Sequence, residues 1–174
     1  MDNRTEKTRR SIYNAFIELR SKKPPERLTV KELCEKAQIN KSTFYVHYRD
    51  VYDLSDKIES EIVRSIIQNL ENSEDLFSNT RQFTQNLFMA YISQNALINT
   101  VFSGSRTEQL PGKLEDALKE MLYENHPGLR DDRELSILIT YSVYGGYYSY
   151  LKHIKSSGET VDVISDLSER LMKK

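Results

Sequence analysis

A single cysteine, Cys34, in 174 residues leaves no partner for a disulfide within the chain and too few thiolates for a multi-cysteine metal site. Proline and glycine are scarce, four and six, and no segment is repeated or of low complexity, so little interrupts regular structure. No apolar run approaches the roughly 20 residues needed to span a bilayer, and no membrane association is expected. The stretch from Met1 to Arg10 is polar and charged, which argues against a signal peptide; the cytoplasm is the expected compartment. The three histidines, His47, His126 and His153, lie far apart and lack metal-ligand spacing with carboxylates. A phosphate-cradling glycine loop and a nucleophile motif are missing as well. No catalytic residue, metal or cofactor is therefore expected.

What the chain has is charge, 29% of its residues, distributed unevenly. Residues 1–50 hold 12 Lys and Arg against 7 Asp and Glu, and the remainder holds 13 against 19. A basic head on an acidic body is what phosphate binding at one end requires, although surface charge also clusters by chance. Apolar residues recur at three- and four-residue spacing almost throughout, which predicts an all-α protein. Ile12, Ala15, Phe16 and Leu19 mark a first helix over about Arg4 to Ser21, stopped by Pro24-Pro25. Thr29 and Glu32 have the spacing of a capping box and open a second helix striped by Val30, Leu33, Cys34 and Ala37. Cys34 lies in that stripe and reads as a small buried hydrophobe rather than a redox sensor. Asn40 is placed to cap a third helix, Lys41 to about Arg49, and Asp50 a fourth that runs to about Glu71. Further helices are expected over about Leu76–Ser93, Ala96–Phe102, Gly112–Glu124, Arg133–Ile154 and Val161–Met172, with loops at Ser103–Pro111 and Asn125–Asp132.

Two short helices joined by a tight turn, between a basic first helix and a long fourth, have the arithmetic of a helix-turn-helix whose second member enters the major groove. On the third helix Phe44 and Tyr48 point inward. Lys41, Ser42, Tyr45 and Val46 are left for base edges, and Thr43 and His47 can reach phosphates. Val46 reads equally as a thymine-methyl contact or as a space filler. The stretch Thr29-Val30-Lys31-Glu32-Leu33, then Ala37-Gln38-Ile39-Asn40-Lys41-Ser42-Thr43-Phe44-Tyr45-Val46-His47-Tyr48, resembles the signature of the tetracycline-repressor (TetR) family. The resemblance covers about residues 8–60. It implies base contacts from Lys41, Ser42 and Tyr45 and backbone contacts from Thr29, Thr43 and His47. Two positions depart from the family: Gln38 stands where a glycine usually ends the second helix, and Val51 where a phosphate-binding lysine is frequent. Lys31, Arg49, Arg9 or Arg10 could supply the missing contact.

The body is legible mainly through that resemblance. It implies a homodimer formed by the last two helices. Gly145 and Gly146, costly inside a helix unless another helix approaches closely or the helix kinks, would then lie at the interface. It also implies an interior site for a small-molecule effector, for which the aromatic-rich pieces offer Phe83, Leu87, Phe88, Tyr91, Phe102, Tyr141 and Tyr144; an aromatic stripe at helical spacing is more often ordinary core. The expected architecture is a three-helix N-terminal helix-turn-helix domain, residues 1–50, and a helical regulatory and dimerisation domain, residues 51–174, with helix 51–71 connecting them. The expected function is that of a ligand-responsive repressor binding double-stranded DNA at a palindromic operator. A TetR-like co-activator or adaptor working through protein partners, and an all-helical enzyme, are the rivals.

Overall fold

The structure, a computed structural model, describes residues 3–68, 70 and 76–173, without the side chains of 3, 156 and 157. Nine α-helices and no strand occur among the described residues: α1 Asn3–Arg20, α2 Val30–Ala37, α3 Lys41–His47, α4 Val51–Gln68, α5 Thr80–Ser93, α6 Asn95–Val101, α7 Gln109–Asn125, α8 Arg133–Lys152 and α9 Ser157–Met172. The chain divides into two compact units, residues 1–62 with 96–109 and residues 63–95 with 110–174. Residues 51–62 and 96–109, which the sequence assigns to the regulatory part, thus group with the helix-turn-helix.

In the first unit α1 packs on α2 and α2 on α3. Ile12 and Phe16 of α1, Leu33 of α2, Phe44 of α3 and Leu54 and Ile58 of α4 are buried, which is the apolar periodicity put to use. The prolines act as expected: α1 ends at Arg20 and a 3₁₀ turn, Pro25–Arg27, follows. The capping box is formed, with Thr29 Oγ1 accepting from the Glu32 amide at 3.2 Å and Glu32 Oε2 from the Thr29 amide at 3.1 Å. Asp50 caps α4 by accepting from the Asp53 amide at 2.8 Å, and Asp53 reaches back to the Arg49 amide at 2.9 Å. Asn40 is a correction: it occupies the cap position of α3 but its side chain makes no capping bond.

The segment after α6 is fastened by buried charge. The Arg20 guanidinium donates to the carbonyls of Val101 at 2.7 Å and Ser103 at 3.1 Å, satisfying acceptors left over at the end of α6. Fully buried Glu59 accepts from Arg106 at 2.7 and 2.6 Å and from the Ser55 hydroxyl at 2.8 Å. Between these anchors Gly104 adopts φ +64°, where a Cβ would come 3.1 Å from Pro24.

In the second unit α5 and α8 both pack against α9. Helix α5 starts at Thr80, later than Leu76, because Asn79 Oδ1 accepts from the Gln82 amide at 3.1 Å and sets the boundary. Helix α7 takes in Gln109 to Pro111, shortening the expected loop, since a proline is tolerated in the first turn. Helix α9 begins at Ser157, four residues before Val161. Asp132 caps α8 through the Leu135 amide at 2.9 Å, and α8 stays helical through both glycines.

Candidate nucleic-acid interface and apolar cavity

Helix α3 is held from three sides. From within, Phe44 is fully buried, its ring 5.6 Å from that of Tyr48 and edge-on to Tyr45 at the same distance. At its start, the turn from α2 passes through Gln38 at φ 56°, ψ 47°, the left-handed conformation. That geometry lets the amides of Gln38 and Ile39 return to the end of α2, Ile39 to the Cys34 carbonyl at 3.0 Å. At its end, Lys57 donates to the His47 carbonyl at 3.1 Å and to Asp53 at 3.2 Å, and lies 5.0 Å over the Tyr48 ring. A cation there also suits the negative end of the helix dipole. Sequence reasoning missed Lys57; its only signal was the four-residue spacing from Asp53. The Arg49 amide, and then Lys57, hold the Asp53 carboxyl below the ordinary carboxylate range.

With α3 fixed this way, Lys41, Ser42, Tyr45 and Val46 are exposed, and Thr43 and His47 are half-buried beside them. Tyr45 is 56% and Val46 79% exposed, which removes the space-filling reading of Val46. Thr29 is exposed at the start of α2, where its side chain serves the capping box. Of the cations offered as substitutes for the absent lysine, Arg9 pairs with Glu61 at 3.1 Å and Lys31 with Glu35 at 3.8 Å. Arg49 pairs with Asp53 at 3.5 Å while its side chain remains 87% exposed, and Arg10 is exposed. Val51 itself is buried and packs into the core instead.

Compared with known proteins, the chain matches no protein-family model and no curated sequence. Among solved structures, it is similar to a TetR family transcription regulator from Marinobacter aquaeolei VT8. The TM-score is 0.53, 98% of each chain is covered, and the two sequences are 13% identical. The chain shares that fold. The likeness extends through the body as well as the helix-turn-helix segment that carried the resemblance in sequence.

The second unit holds a cavity of about 90 Å³. Phe83, Leu87, Phe88 and Tyr91 of α5 line it, as offered by the sequence, opposite Leu114, Leu118 and Leu122 of α7. Helices α8 and α9 close it with residues that include Val143, Tyr147 and Ile164. The α7 leucines were missed, though their four-residue spacing is a plain helical stripe. Three offered residues do not line the cavity. Phe102 lies buried in the first unit, Tyr141 is 67% exposed, and Tyr144 faces Gly112 at the start of α7. The physical reason is the phase of α8, which turns Ile139, Val143, Gly146 and Tyr147 inward and Tyr141 and Tyr144 out.

Among the described residues none that lines the cavity is charged. The hydroxyls of Thr80 and Thr84 already donate to carbonyls one turn back, at 2.8 and 2.9 Å. Burial, with Tyr147 and Tyr150 nearby, pushes the Tyr91 phenol up to about 12. Gly146 is buried and faces the interior of this unit, where a Cβ would meet Ile164 at 3.4 Å and Phe88 at 3.7 Å, ordinary contact distances. Gly145 is exposed, with open space around it. Among the described residues no helix is long and apolar enough to cross a membrane.

Proposed function

We propose that the chain is a DNA-binding transcriptional regulator, a repressor that reads a palindromic operator as a homodimer and answers to a small apolar effector. The observation that carries this reading is the outward face of α3. Four side chains, Lys41, Ser42, Tyr45 and Val46, stand clear of the unit on a helix anchored at both ends. A B-form major groove admits one such helix. Lys41 and Tyr45, four apart, share one side of it, and Ser42 and Val46 the next. Thr43 and His47 flank them as phosphate contacts, and exposed Arg49 and Arg10 are the cations best placed to replace the contact that Val51 does not make.

Dimerisation is supported by a second pattern. Ile137, Tyr141, Tyr144, Tyr148 and Leu151 of α8 are exposed at alternating spacings of four and three, and Val163, Leu167 and Leu171 of α9 at four. These are the rows a helix bundle buries, on two helices that pack side by side. Gly145 falls within the α8 row. A two-fold dimer also matches a palindrome, with half-sites one helical turn or a multiple apart. The cavity supports an effector that is neutral and apolar, because its described lining has no charged side chain to compensate a buried charge.

Selection from a random duplex pool with the whole protein tests the reading. Enrichment of an inverted repeat is expected, and Leu167→Glu with Tyr141→Glu should leave a folded monomer in sedimentation. A pool that shows no enrichment at low salt overturns the DNA-binding reading. The adaptor would then be favoured, for which buried Val51 is the one structural observation.

A further inference from the structure

Val46 has no role inside the chain. It is 79% exposed, on a seven-residue helix whose first residue lacks a side-chain cap. A β-branched residue lowers helix propensity there, and no burial offsets that. Its neighbours divide cleanly: Phe44 is buried, His47 ends the helix under Lys57, and Ser42 lies one turn earlier on the same exposed side. Valine carries no donor or acceptor, so it cannot read the polar pattern of a base edge or hold a phosphate. The one apolar group that the major groove displays is the C5-methyl of thymine.

We infer that Val46 is a specificity residue that selects thymine at one position of each half-site by packing its methyl groups on the thymine methyl. The inference rests on the DNA-binding reading above. Cytosine presents a hydrogen at the same ring position, so the contact separates thymine from cytosine. Removing one methyl from water is worth about a fourfold preference, which squares to about sixteenfold for a symmetric dimer on two half-sites.

The test uses the duplex enriched by the wild-type protein from a random pool. Deoxyuridine, which lacks only the methyl, then replaces each thymine in turn. One symmetry-related pair of positions is expected to weaken wild-type binding by about sixteenfold. The Val46→Ala protein, whose fold is protected by the exposure of that side chain, should bind the thymine and deoxyuridine duplexes equally. Selection repeated with Val46→Ala should lose the thymine at that position and keep the rest of the site. If the wild-type protein is indifferent to deoxyuridine everywhere, or if Val46→Ala retains the same sensitivity, the inference fails while the DNA-binding reading stands. If the wild-type protein enriches no sequence, the DNA-binding reading fails first. Loss of a protein partner on Val46→Ala without any change in DNA selection would reassign the residue to a protein contact.

Discussion

Replacing Gln38 by glycine should stabilise the protein, contrary to the usual effect of introducing glycine. Gln38 is the one described non-glycine residue with positive φ, at 56°, and its ψ of 47° puts it in the left-handed helical well. An L-residue with a Cβ occupies that well at a cost of about 1–2 kcal/mol. The side chain is exposed, and the bonds that close α2 come from backbone amides that glycine retains. Against the relief stands the larger conformational entropy that glycine loses on folding, about 0.5–1 kcal/mol. The difference favours Gln38→Gly by about 0.5–1 kcal/mol. For a chain of this length, unfolding in one step, that corresponds to about 1–4 °C in Tm. Urea unfolding at 25 °C of the Gly, Asn, Gln and Ala variants is the assay. The order expected is Gly above Asn above Gln, with Ala level with Gln because both keep the Cβ. If Gln38→Gly matches or falls below wild type while Gln38→Ala is neutral, the left-handed turn is not costing what the geometry says.

Three further outcomes follow from the same structure. Arg106→Met should lower stability by about 3–5 kcal/mol by leaving fully buried Glu59 without its main partner, whereas Glu59→Leu with Arg106→Met should recover most of the loss in a urea double-mutant cycle. Stability should fall as pH rises from 10 towards 12: with the Tyr91 phenol at about 12 in the folded chain and near 10 when unfolded, the unfolded state gives up that proton first. Urea unfolding at pH 9 to 11.5 should show this slope, flatter in Tyr91→Phe. Lys41→Ala should weaken binding to the selected duplex by about 1–3 kcal/mol and relax one base position. His47→Ala should weaken selected and scrambled duplexes alike, as a phosphate contact does. Filter binding to both duplexes separates these patterns.

Much of the first unit was legible because its signals are local. Thr29 and Glu32, Asp50 and Asp53, and the proline pair each act within four residues, and a reader of sequence sees both members of each interaction. Asn40 misled because a capping residue type does not compel a capping rotamer. The bond from Lys57 to the end of α3, and the pairing of Glu59 with Arg106, 47 residues apart, were invisible because such pairing leaves no periodic trace. In the second unit the helices were legible and their phase was not. One tyrosine-rich stretch of α8 sends Tyr147 to the cavity and Tyr141, Tyr144 and Tyr148 outward, and composition alone could not sort them. The glycine pair divides the same way: Gly146 faces Ile164 and Phe88 inside the unit, and Gly145 faces open space.

That division of α8 and α9 into two faces couples the proposed effector to the proposed dimer. At about 90 Å³ the cavity is smaller than the void of about 150 Å³ in which an engineered apolar core holds benzene. A neutral aromatic molecule that becomes fully enclosed there must therefore move its walls. Two of those walls are the inner faces of α8, at Val143 and Tyr147, and of α9, at Ile164 and Ser168. Their outer faces carry the rows through Tyr141 and Leu167 that a partner would cover. A shift of either helix changes both faces, so the two equilibria are linked, and the linkage is reciprocal. Whatever factor saturating benzene applies to the dimer dissociation constant, dimerisation must apply to benzene binding at its two sites taken together. Sedimentation equilibrium with and without saturating benzene should show a changed dimer constant. Benzene titrations, followed by the shift in Tm, should differ in affinity by the square root of that factor between the wild-type dimer, which has two sites, and the Leu167→Glu, Tyr141→Glu monomer. If benzene raises the Tm of both forms equally and leaves the dimer constant unaltered, the two faces move independently. An effector would then have to act by a route that does not pass through α8 and α9.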